Sequence, residues 1–105
     1  MPSTIHVRTL QSLLGLCHLA IAAWGMSRSQ SPSLLVISIA IFGSAYLKSK
    51  PLPDMIAPIG AMAGHVLAAL AVLLLLCFTG PDVAAIVGCY IGGMRLKAGG
   101  VGVRM

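Results

Sequence analysis

The stretch VLAALAVLLLLC (residues 66–77) decides the fold, because its side chains are apolar from end to end. It lies within a longer apolar run, residues 55–79. The hydrocarbon core of a bilayer is about 30 Å thick and takes about 20 helical residues to cross. The run is long enough for that, so it predicts a transmembrane helix.

Three further apolar runs, over residues 10–26, 32–47 and 82–97, predict three more helices. Polar or proline-containing turns separate them, with prolines placed where helices begin. The last run is the weakest, since its apolar part ends at Met94. It is longer if Arg95 and Lys97 extend their charges to the membrane surface. The sequence therefore predicts one all-α membrane domain over residues 1–105, a bundle of four short transmembrane helices.

Composition supports a membrane location. The chain is 58% hydrophobic and 9% charged, compared with about 45–50% and 25% in soluble domains. A small soluble protein needs a polar surface that so few charges cannot supply. The net charge is +5, but the basic residues lie at the ends of apolar runs without interleaved aromatic side chains. We therefore expect the lipid bilayer as a partner and no nucleic acid.

The distribution of basic residues predicts the topology. With four spans, the N-terminus, the second loop and the C-terminus lie on one side of the membrane. Only Arg28 lies on the other side. An excess of Lys and Arg marks the cytoplasmic side, so both termini are predicted to be cytoplasmic. The six basic residues on that side are Arg8, Lys48, Lys50, Arg95, Lys97 and Arg104.

Two GxxxG motifs predict helix-packing faces. Gly60 and Gly64 form the first, in the third run, and Gly88 and Gly92 form the second, in the fourth run. Small residues four apart allow the backbone of another membrane helix to approach closely. The partner helix can belong to the same chain or to another one.

His18 and His65 are the ionisable residues predicted to lie deep in the membrane. Polar groups there are costly and usually face the interior of a bundle. One interpretation is a shared cofactor-binding site, such as axial ligation of haem b. The other is that each imidazole forms a separate hydrogen bond to a neighbouring helix.

The sequence contains few residues suited to catalysis or metal binding. The chain has no glutamate, and Asp54 and Asp82 fall in predicted loops, so paired carboxylates for acid–base catalysis are lacking. Cys17, Cys77 and Cys89 lie in apolar runs without CxxC spacing, so neither a metal site nor a disulfide framework is predicted. No catalytic residues are assigned.

The layout resembles the small multidrug resistance transporters, which have four short helices and dimerise. The resemblance is carried by Ser31-Pro32-Ser33, by Gly64-His65-Val66-Leu67, and by Pro81–Gly88 (PDVAAIVG). It implies a homo-oligomeric transporter-like unit. The membrane glutamate of that family has no counterpart here, so proton-driven export is not implied. Similar layouts occur in DoxX-like proteins and in accessory subunits of membrane complexes.

Three functional hypotheses follow. The leading one is a membrane protein that acts through helix packing, as a homo-oligomeric transporter-like unit or with other membrane subunits. The second is a haem- or quinone-associated redox anchor that uses His18 and His65. The third is a small membrane-embedded enzyme.

Overall fold

The computed structural model describes residues 4–53 and 55–101, and four helices form most of this part of the chain. Asp54 and Arg104, both used in the sequence predictions, lie outside the described residues. The elements in chain order are β1 (Thr4–His6), α1 (Val7–Ser29), α2 (Pro32–Lys48), β2 (Ile56–Pro58), α3 (Ile59–Thr79) and α4 (Pro81–Ala98).

The third helix begins later than the sequence predicts, at Ile59 instead of Met55. The intervening residues form β2, which pairs antiparallel with β1 in the register Ile5↔Ala57. Ala57 precedes Pro58, and the residue before a proline is disfavoured in helical conformation. The pairing also occupies backbone groups that a longer helix would use.

The other helices extend slightly beyond their predicted bounds. α1 continues through polar residues to Ser29 and ends where Gln30 adopts a left-handed conformation, with φ 53°. α2 begins at Pro32, and the hydroxyl of Ser31 accepts a hydrogen bond from the amide of Leu34 at 3.3 Å. Proline at the first position and serine at the cap are the expected start of a helix. Gly80, with φ 115°, forms the turn between α3 and α4.

Helix α4 is central, with α1 packed on one side and α2 on the other. Gly15 of α1 lies against Arg95, near the end of α4, and Gly25 lies against Ala84, near its beginning. The two helices therefore run antiparallel. The contacts between α2 and α4 follow the same order along both helices, with Phe42 near Gly93 and Tyr46 near Lys97. These two helices therefore run parallel.

Helix α3 packs loosely on the rest of the protein. Its buried side is a narrow stripe in which Ala69 contacts Leu10 and Leu14 of α1, with Met62 and Val66 beside them. The Cα atoms extend over 48 × 32 × 15 Å, so the helices form a flat array.

Two of the described helices are long and apolar enough to cross a membrane. These are α1, with 23 residues and a mean hydropathy of 1.3, and α3, with 21 residues and a mean hydropathy of 2.4. α2 is apolar but shorter, with 17 residues. The prediction of an all-α chain with four helices is confirmed apart from the short strand pair.

Candidate functional site

The contact between α1 and α4 depends on glycines on both helices. A Cβ added to Gly25 would collide with the carbonyl oxygen of Pro81 and lie 2.9 Å from the amide nitrogen of Ala85. A Cβ added to Gly15 would lie 3.0 Å from the amide nitrogen of Leu96. These neighbours are backbone atoms, which cannot move aside without separating the helices.

The second GxxxG motif lies in this same interface. A Cβ added to Gly88 would lie 2.8 Å from the carbonyl oxygen of His18 and 2.9 Å from Cβ of Ala22. At Gly92 the added atom would lie 2.8 Å from Cγ of Leu19, which is a movable side chain. Gly88 is thus held against backbone and Gly92 mainly against a side chain.

The first GxxxG motif has a different environment. Beyond its own helical backbone, a Cβ added to Gly60 or Gly64 would have no neighbour within 4 Å in the part of the chain that the structure describes. Both residues lie on the outward side of α3, opposite the stripe that packs on α1. The structure therefore places one predicted motif inside the chain and leaves the other open.

The two histidines occupy different environments. His18 is completely buried, and its Nδ1 donates a hydrogen bond to the carbonyl oxygen of Leu14 at 2.7 Å. Its Nε2 is buried without a partner among the described residues. His65 is exposed on α3. Burial therefore distinguishes the two imidazoles, and a cofactor-binding site shared by them stays a prediction.

The three cysteines do not belong to a potential metal-binding cluster among the described residues. Cys17 and Cys77 are exposed and Cys89 is buried, and all three are free thiols. Within residues 4–53 and 55–101, no group of three or more His, Cys, Asp or Glu side chains could hold a metal ion.

Basic residues gather at one end of the helices. Nε of Arg8 donates to the carbonyl oxygen of Leu52 at 2.7 Å. Nζ of Lys97 donates to the carbonyl oxygen of Tyr46 at 3.3 Å and lies 4.4 Å from the centre of its ring. The first contact attaches the loop after α2 to the beginning of α1, and the other two attach the end of α4 to the end of α2.

Arg95 lies at the same end and is partly buried. Its Nη1 donates to Oε1 of Gln11 at 2.9 Å, whereas its Nε is buried with no hydrogen-bond partner in the described part of the chain. From the sequence, Arg95 is predicted to extend its charge to the membrane surface. The sequence does not indicate the contact with Gln11, which depends on the antiparallel register of α1 and α4.

Comparison with protein-family models, with curated proteins and with solved structures finds no match to this chain.

Proposed function

We propose that this chain is an integral membrane protein that acts through helix packing. In this proposal its four helices cross the bilayer, the basic end faces the cytoplasm, and the open side of α3 receives a helix of another membrane subunit. A second copy of this chain is the simplest such partner and gives a homo-oligomeric, transporter-like unit.

The exposure of α3 is the observation that carries the proposal. α3 is the more apolar of the two long helices, yet only 11% of its apolar span is buried inside the protein, compared with 39% for α1. Leu74 and Leu75 are each 62% exposed and Phe78 is 85% exposed. In water the most apolar helix would be the most buried one, because burial of apolar area drives folding. In a bilayer the same surface is favourable.

The separation of basic residues to one end of the helices supports the proposed orientation, in which that end faces the cytoplasm. Arg8 and Lys97 lie at one end of the helix array together with Arg95, Lys48 and Lys50. The opposite end holds Arg28, in the last turn of α1, and Asp82, in the first turn of α4. Strong enrichment of Lys and Arg at one end agrees with the rule that places such ends in the cytoplasm.

Small residues on the outward face of α3 support a helical partner. Gly60, Gly64, Ala68 and Ala71 are all exposed, and their spacing of four, four and three residues places them on one side of a helix. A face of this kind allows close backbone approach and extensive van der Waals contact between membrane helices. Contact with lipid alone does not require this pattern of small residues.

The Gly64→Leu substitution tests whether a partner helix packs on the outward face of α3. We expect Gly64→Leu to abolish association of the chain with its partner while leaving its own helices folded, because the Cβ added at this position has open space around it among the described residues. Size-exclusion chromatography with light scattering in mild detergent detects loss of a homo-oligomer. Affinity purification from the native membrane detects loss of a different subunit.

Gly43→Leu is the matched control. A Cβ added to Gly43 also has no neighbour within 4 Å among the described residues, but Gly43 belongs to α2 and not to the outward face of α3. It should associate like the wild-type protein. Association of the Gly64→Leu protein at the wild-type level would contradict the proposed interface.

A further inference from the structure

A groove beside Arg95 combines one charged group with apolar walls. Its volume is about 370 Å³. It lies where α1, α4 and the loop after α2 meet at the basic end. The lining residues are Gln11, Leu52, Ile91, Met94, Arg95 and Ala98.

Within residues 4–53 and 55–101, the charge in this groove has no acidic partner. Arg95 donates to the neutral amide of Gln11, and the one acid among the described residues, Asp82, lies at the opposite end of α4. A partly buried cation without a counter-ion is costly. Arginine binds phosphate through parallel N–H···O hydrogen bonds. A phosphate group in the groove would supply the missing negative charge.

The geometry of the groove orients an amphipathic ligand. Leu52 closes one wall, because its amide donates to the carbonyl oxygen of Ala98 at 3.0 Å and its carbonyl accepts from Arg8. Ile91 lies one helical turn from Arg95 toward the middle of α4. The groove is therefore cationic near the membrane surface and apolar toward the membrane centre, which matches the headgroup and acyl chain of a phospholipid.

We propose that this groove is a binding site for an anionic phospholipid of the cytoplasmic leaflet. Arg95, oriented by Gln11, binds the phosphate, and an acyl chain lies along Ile91 and Met94. Basic pockets between transmembrane helices on that side are a known means of holding anionic headgroups. The inference rests on the membrane location proposed above, but it does not depend on the partner of α3.

Native mass spectrometry of the protein in mild detergent tests the site with two probes, phosphatidylglycerol and phosphatidylcholine. We expect wild-type protein to retain phosphatidylglycerol preferentially. Arg95→Gln should lower that retention at least about ten-fold, since it removes hydrogen bonds to a charged phosphate, each of which contributes about 1.5–3 kcal/mol. Lys50→Gln is the matched control, because Lys50 is an exposed cation of the same end that does not line the groove. It should retain the lipid normally.

A second variant keeps the charge and fills the groove. Ile91→Trp should reduce retention of phosphatidylglycerol although Arg95 is intact, which also provides a test if Arg95→Gln fails to fold. Equal retention of both lipids by the wild-type protein would overturn the proposal. So would an equal loss in Arg95→Gln and Lys50→Gln, or displacement of the lipid by inorganic phosphate. If the protein resides in membranes and shows no lipid preference, only this inference fails.

Discussion

Gly88→Ala is expected to destabilise the protein by about 1–3 kcal/mol, the usual cost of an added methyl group in a packed interior. The reason is that the new Cβ would lie within 3 Å of the His18 carbonyl oxygen and of Ala22. Alanine normally favours a helix over glycine by about 0.5–1 kcal/mol, so the steric cost must exceed that gain. Unfolding in a titration from mild detergent to dodecyl sulfate, followed by circular dichroism, measures the change.

Gly64 and Gly92, which also belong to GxxxG motifs, provide controls for Gly88. Gly64→Ala adds a methyl group to open space, so the helix propensity of alanine should leave stability unchanged or slightly higher. Gly92→Ala meets the movable side chain of Leu19 and should cost less than Gly88→Ala. Equal effects at Gly88 and Gly64 would mean that α1 and α4 are not closely packed.

Leu70→Arg is expected to lower the equilibrium constant for membrane insertion of α3 roughly a hundredfold. Leu70 is 50% exposed and lies near the middle of α3. Arginine at the centre of a transmembrane helix costs about 3 kcal/mol relative to leucine. On the surface of a soluble protein the same change would stay within about 0.5 kcal/mol. The experiment therefore distinguishes lipid from water at this position.

Labelling of a cysteine at Asp82 measures the insertion, in a chain whose native cysteines are replaced by alanine. When α3 spans the bilayer, position 82 is shielded from a membrane-impermeant maleimide on the cytoplasmic side. When α3 fails to insert, position 82 is labelled. Leu47→Arg is the control, because Leu47 is 77% exposed at the basic end beside Lys48. It should insert normally, and similar labelling of both variants would argue against a lipid-facing α3.

The four helices could be predicted because their signals are local. Each apolar run is longer than a helical turn by several-fold and is bounded by proline or polar residues. The strand pair could not be predicted, because three residues do not establish an alternating pattern and the two partners are separated by about fifty residues. The delayed start of α3 follows from that pairing.

The packing sites could be predicted in part. The motif Gly88–Gly92 is visible in the sequence, but its assignment to α1 depends on the antiparallel register. Gly15 and Gly25 were missed because they are ten residues apart and form no GxxxG motif. Together with Ala22 they nevertheless share one helical face, which is the signal that could have found them. His18 and His65 could not be distinguished from the sequence, because each lies near the middle of an apolar run, whereas in the structure His18 is buried and His65 is exposed.

Flotation of membranes after an alkaline carbonate wash tests the central claim, that the apolar and exposed face of α3 lies in a bilayer. An integral protein is held by apolar burial in hydrocarbon and resists the wash, whereas a peripheral one is released. We expect the protein to float with the vesicles in a density gradient. Recovery in the wash supernatant, or as lipid-free material at the bottom of the gradient, would contradict the account.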